Sequence, residues 1–119
     1  MADFIVVARL DQLASGHGMT VTVRGVPVAL FNVEGTVYAI DDTCRHEGVS
    51  LGSGELRGHI VRCRAHGWRY DVTTGHTMHD PAERVTRDPV QVVDGAMLVD
   101  VTSPAGQLLR HGLGARRRL

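Results

Sequence analysis

Residues 26–41, VPVALFNVEGTVYAID, read as two strands around one tight turn. Val26–Val33 and Thr36–Asp41 are rich in β-branched and aromatic side chains, and neither shows the period of an amphipathic helix. Between them lies Glu34-Gly35, where glycine tolerates the positive φ that a two-residue hairpin turn requires. Working outward, the same kind of run recurs at Phe4–Arg9, Thr20–Arg24, His59–Cys63, Arg69–Val72, Val85–Val93 and Ala96–Val101. Arg24-Gly25, Thr74-Gly75 and Asp94-Gly95 supply further turn signals. Pro27 and Pro89 are read as lying near the start of a run, where a missing N–H is tolerated. The expected fold class is all-β, an antiparallel sandwich or barrel.

The 119 residues suit one domain with a real core. All thirteen basic residues are Arg and balance thirteen acids to a formal charge of zero, which gives no reason to expect a nucleic-acid partner. Charge is unevenly spread: residues 1–100 hold nine Arg against thirteen acids (9 − 13 = −4), while 101–119 hold four Arg and no acid (+4). Residues 1–103 are therefore read as the domain, and 104–119 as a flexible basic tail. The apolar run Phe4–Ala8 is too short for a signal sequence or a membrane span, and no later segment approaches membrane length. With two cysteines and no export signal, the expected compartment is the cytoplasm, where paired Cys point to metal rather than to a disulfide.

The irregular stretches 42–58, 64–68 and 76–84 carry the chemistry. Cys44-Arg45-His46 and Cys63-Arg64-Ala65-His66 form the pattern C-x-H, sixteen residues, C-x-x-H, one pair on each of two loops. Two similar fingers would then face one metal centre. A structural zinc site is the plain alternative, although common two-Cys, two-His zinc modules run Cys, Cys, His, His with wider gaps.

Beyond the ligands, CRHEG at 44–48, CRAHGWRYD at 63–71, TG at 74–75, the VYAID run at 37–41 and Asp80-Pro81-Ala82 resemble the Rieske-type 2Fe-2S family over nearly all of residues 3–102. That resemblance implies a Rieske-like β sandwich with a two-loop cluster-binding subdomain. It implies one 2Fe-2S cluster held by Cys44, His46, Cys63 and His66, with both thiolates on one iron and both imidazoles on the other. It also places Pro81 on a loop covering the cluster, and Tyr70 within hydrogen-bonding reach of a ligand thiolate. Two ferric ions, two sulfides and two thiolates sum to no net charge, so an added electron is less opposed than in a four-thiolate cluster. Rieske centres accordingly span roughly −150 to +300 mV, against about −400 mV for plant-type ferredoxins.

Departures from the family narrow the reading. Respiratory relatives carry a further disulfide-forming Cys in each loop where this chain has Val49 and Ala65, and a sulfide-bonding Ser where it has Trp68. One tuning donor is lost, so the expected potential lies towards the lower part of the Rieske range. The loop wording is close to that of ring-hydroxylating oxygenases, yet the residues after Val101 leave no room for a catalytic domain. The resemblance thus implies a soluble ferredoxin passing single electrons from a reductase to a terminal oxygenase, catalysing nothing itself.

A second resemblance, to the small subunit of assimilatory nitrite reductases, rests on Val28–Phe31 and His79–Pro81. A non-redox, zinc-stabilised binding module is the third possibility. His17, His59, His76, His79 and His111 are read as surface residues, with His76 and His79 flanking the Pro81 loop. Trp68 is read as packing. Arg45, Arg64 and Arg69, with Glu47 nearby, are read either as a docking surface for an acidic partner or as solvated charge.

Overall fold

The computed structural model describes residues 3–45, 48–65, 67–80 and 82–102. His46, Glu47, His66, Pro81 and the tail from Pro104 onward lie outside them. Among the described residues the order is β1 (Ile5–Arg9), a 3-10 turn (Leu10–Gln12), β2 (Gly18–Val23), β3 (Val26–Val33), β4 (Thr36–Asp41), β5 (Glu55–Arg57), β6 (Ile60–Arg62), β7 (Arg69–Asp71), β8 (Arg87–Asp88), β9 (Val90–Val93) and β10 (Ala96–Val99). No α-helix occurs among them.

All pairings within the sheets are antiparallel, in three sheets ordered β1-β10-β9, β2-β3-β4-β8 and β5-β6-β7. Both turn residues have positive φ at Arg24-Gly25 (50° and 77°), Glu34-Gly35 (51° and 94°) and Asp94-Gly95 (50° and 80°). This is the type I′ geometry whose twist matches that of the flanking strands. These three turns close the β2–β3, β3–β4 and β9–β10 hairpins, as the X-Gly pairs lead one to expect.

β3 runs through the middle of the molecule and is buried on both faces, which explains its nearly unbroken apolar sequence. Val28 and Leu30 enter one core with Val23, Val37, Ala39, Met97 and Val99. Ala29 and Phe31 enter the other, with Ile40, Leu51, Val61, Tyr70, Val72, Val85 and both cysteines. Each fully buried aliphatic or aromatic side chain contributes about 1.5–3 kcal/mol. The β2-β3-β4-β8 sheet therefore carries the β5-β6-β7 sheet by one face and the β1-β10-β9 sheet by the other.

Two sequence expectations need correction. The single run expected over Val85–Val93 is broken at Pro89: β8 pairs with β4, and β9 pairs with β10 in another sheet. A residue without an N–H suits the step between two ladders. The irregular stretch expected over 42–58 also contains β5, joined to β6 by a hairpin with Gly58 at φ 61°. Only Leu56 of this three-residue strand points inward, between Glu55 and Arg57, so the strand carries almost no hydrophobic pattern.

Candidate metal centre

Asp42, just past β4, is the anchor of the first loop. Its carboxylate Oδ1 accepts from Thr20 Oγ1 (2.9 Å), Ser50 Oγ (2.9 Å) and the Gly52 N–H (2.8 Å). The loop begins and ends on the Thr43–Ser50 bridge. Inside it, the Cys44 N–H donates to the Val49 carbonyl (2.9 Å), and the Gly48 N–H donates to the Cys44 carbonyl (2.8 Å).

The second loop joins β6 to β7, whose Arg62–Arg69 pair closes it. The same two bonds recur there, from the Cys63 N–H to the Trp68 carbonyl (2.7 Å) and from the Gly67 N–H to the Cys63 carbonyl (3.1 Å). Gly48 and Gly67 take φ values of 71° and 75°, a region closed to most side chains without strain. The spacings C-x-H and C-x-x-H therefore sit on one common frame, from a cysteine to a glycine four residues later. In sequence, His46 is the second residue after its cysteine and His66 the third.

Both cysteines are buried and free of disulfides. Their own N–H and C=O groups are engaged in the loop bonds. A cleft of about 610 Å³ lined by Ser53, Gly54, Glu55, Arg62, Cys63, Arg64, Ala65 and Gly67 opens beside the second loop. Two buried thiols on matching frames suit a metal centre that takes one sulfur from each loop. Among the described residues no three or more Cys, His, Asp or Glu form a metal-binding group, and His46 and His66 lie outside that set.

Tyr70 joins the loops. It belongs to β7, directly after the second loop, yet its Oη accepts the Arg45 N–H of the first loop (3.0 Å) and lies 3.4 Å from Cys44 Sγ. Burial pushes its phenol well above the ordinary range, and the bond to Cys44 adds to the shift, so the group stays protonated. With Arg45 on the oxygen, the O–H is left to donate to sulfur. This is the contact expected of Tyr70.

Arg45 is tied inward: Nη1 donates to the Arg84 carbonyl (3.1 Å) and Nε lies 3.5 Å from a Glu83 carboxylate oxygen. It therefore braces the first loop against residues 83–84. Trp68 packs against the site-side core, as expected, and its ring meets that of His79 at 4.3 Å between centroids and 67° between planes. His59 bonds Asp71 (3.1 Å). Sequence reasoning passed over Asp42 and Arg62. The guanidinium of Arg62 lies against Gly67, where a Cβ would sit 3.1 Å from Nε. Its position just before Cys63 and next to inward-facing Val61 was the available signal.

A profile of the Rieske [2Fe-2S] domain family matches residues 3–94. The ferredoxin component of the p-cumate 2,3-dioxygenase system of Pseudomonas putida is 36% identical over 104 residues, covering 85% of this chain and 88% of that protein. The ferredoxin component of the naphthalene 1,2-dioxygenase system of Pseudomonas putida is 31% identical over 100 residues, covering 83% and 96%.

Among solved structures, the carbazole 1,9a-dioxygenase ferredoxin of Nocardioides aromaticivorans IC177 matches with a TM-score of 0.77 at 30% identity, covering 82% of this chain and 97% of that one. A chain from a complex of reduced oxygenase and oxidized ferredoxin in carbazole 1,9a-dioxygenase matches with a TM-score of 0.75 at 29% identity, covering 82% and 92%. A nitrite reductase small subunit from Mycobacterium tuberculosis superposes at TM-score 0.80 with 22% identity, covering 87% and 98%, a likeness of fold alone.

Proposed function

The chain belongs to the Rieske [2Fe-2S] domain family, and from that premise we propose how it holds its cluster and where its electrons go. Cys44 and Cys63 would hold the cluster by their thiolates, and His46 and His66 by their imidazoles. The observation that carries this reading is the shared frame of the two loops, each offering one buried cysteine.

When bound, the 2Fe-2S cluster supplies a centre that takes up and releases one electron at a time. The protein does the rest. Burial of both sulfurs keeps water from the thiolates, and the Tyr70 O–H donated to Cys44 Sγ stabilises negative charge there. Tyr70 also fixes the first loop through the Arg45 N–H.

The protein is a carrier, receiving electrons from a reductase and delivering them to a terminal oxygenase. Support comes from relatives named as ferredoxin components of dioxygenase systems and from the oxygenase–ferredoxin complex. No helix among the described residues is long and apolar enough to cross a membrane, and we assign the carrier to the cytoplasm. Residues 1–103 are the working domain and 104–119 a basic appendage to it. The shared fold leaves a nitrite reductase subunit as the second reading, and the complete Cys-His set favours the ferredoxin.

Absorption and EPR spectroscopy of the purified protein test the assignment. A coloured protein with a Rieske-type signal after dithionite reduction is expected, with both features lost in Cys63→Ser. A colourless, EPR-silent, zinc-containing protein overturns the proposal, and so does a Cys63→Ser variant with unchanged spectra.

A further inference from the structure

The β5-β6-β7 sheet turns Leu56, Val61 and Tyr70 towards the core and Glu55, Arg57, Ile60, Arg62 and Arg69 outward. The outward residues line an open depression of about 410 Å³. Arg62 and Arg69 are direct cross-strand neighbours, a like-charge pairing that costs stability. Arg64, exposed on the second loop, adds a third cation.

Glu55 stands directly across from Arg62 in the β5–β6 ladder, but its carboxylate is engaged by Arg57 at 2.8 Å, and Asp71 is engaged by His59 and Thr73. None of Arg62, Arg64 and Arg69 forms an ion pair among the described residues. Arg45 is excluded from this surface by its bonds to Glu83 and Arg84, so the cationic face differs from the Arg45, Arg64 and Arg69 set suggested by sequence.

The patch is continuous with the proposed site. Arg62 lies against Gly67 and lines, with Cys63 and Arg64, the cleft beside the second loop. It is also a local exception, since residues 1–100 carry nine Arg against thirteen acids. A long polyanion would run from this patch onto an acidic body, whereas a compact acidic patch on a folded protein matches it in charge and size. Small, charge-steered contacts are what a carrier that must release its partner at every turnover uses.

We propose that the outer face of β5-β6-β7, centred on Arg62, Arg64 and Arg69, is the docking surface for an acidic patch on the protein's redox partner, and that electrons cross beside the second loop. The proposal rests on the electron-carrier reading above.

The test uses the holoprotein, reduced with dithionite and oxidised in a stopped-flow instrument by anionic ferricyanide or cationic hexaammineruthenium(III). Each acceptor takes one electron from the reduced cluster, giving ferrocyanide or ruthenium(II). At low salt, Arg62→Glu/Arg69→Glu is expected to slow ferricyanide at least tenfold and to speed hexaammineruthenium, with both differences collapsing at high salt. Arg9→Glu/Arg24→Glu, outside this sheet, should change neither rate by more than twofold. Hexa-L-glutamate, a compact acidic probe, should shield the wild type from ferricyanide but leave the double variant unshielded.

If Arg62→Glu/Arg69→Glu does not assemble a cluster, Arg62→Gln/Arg69→Gln carries the same prediction at smaller amplitude. Rates indifferent to these substitutions, in a protein that keeps its EPR signal, overturn the docking face alone. An oligothymidylate of equal charge that shields better than hexa-L-glutamate overturns the choice of a protein partner. Absence of the Rieske signal in the wild type instead defeats the carrier reading on which the proposal stands.

Discussion

The two cysteine loops share a frame and differ in what holds it. In both, the cysteine N–H reaches five residues ahead and a glycine four residues on returns a bond to the cysteine carbonyl. The first loop owes its position to side chains from far along the chain: Thr20 through Asp42, Tyr70, and residues 83–84 through Arg45. The second is the connection of the β6–β7 ladder and inherits its geometry from the backbone pairs on either side. Two copies of one local motif can therefore be fixed by different means, and substitutions should act on them unequally.

The largest break is expected at Asp42. Asp42→Ala removes one oxygen that satisfies three donors, including the buried Gly52 N–H. Leaving such donors unpaired should cost about 3 kcal/mol in urea unfolding. Colour should bleach faster in denaturant, whereas Asp42→Asn, which keeps an acceptor, should lose less. Equal, small losses in both variants would show that the first loop does not depend on its distant anchor.

Next in size is Tyr70→Phe, which removes a hydroxyl that links the loops. It orphans the Arg45 N–H and the contact to Cys44 Sγ, an expected loss of about 2 kcal/mol. The reduction potential should also fall, because a donor to a thiolate favours the more negative, reduced state. Voltammetry showing an unchanged potential would mean that Tyr70 braces the loop without tuning the proposed site.

The same contrast explains what could be read from sequence. The hairpins around Arg24-Gly25, Glu34-Gly35 and Asp94-Gly95 were legible because each turn signal is local and its geometry nearly demands glycine. The four expected ligands were legible as a spacing, and Cys44 and Cys63 lie on loops, with His46 and His66 outside the described residues. Arg57-Gly58 offered the same kind of turn signal as Arg24-Gly25 but was hidden by the shortness of β5. Val85–Val93 was misread as one run because period-two alternation says nothing about which sheet a strand joins. Asp42 was missed because two of its partners, Thr20 and Gly52, lie 22 and 10 positions away and meet only in the fold. Arg45 misled for the same reason, since Glu83 and Arg84 reach it only across the folded chain.

The smallest effect is expected on the side of the second loop, at Asp71. Burial alone would raise its pKa, but bonds from the Thr73 hydroxyl (2.6 Å) and N–H (2.9 Å), with His59 beside it, hold it below the usual carboxylate range. A carboxylate whose folded pKa lies below its unfolded value stabilises the fold fully above the unfolded value of about 4 and loses that contribution as pH falls through the folded value. Asp71→Asn should therefore cost no more than about 1 kcal/mol at neutral pH, and wild type and variant should converge in acid. Because the β6–β7 ladder still closes the second loop, the variant should keep its colour where Asp42→Ala bleaches. Bleaching as fast as in Asp42→Ala would show that the second loop also hangs on a side-chain anchor, and that the division between the two loops is false.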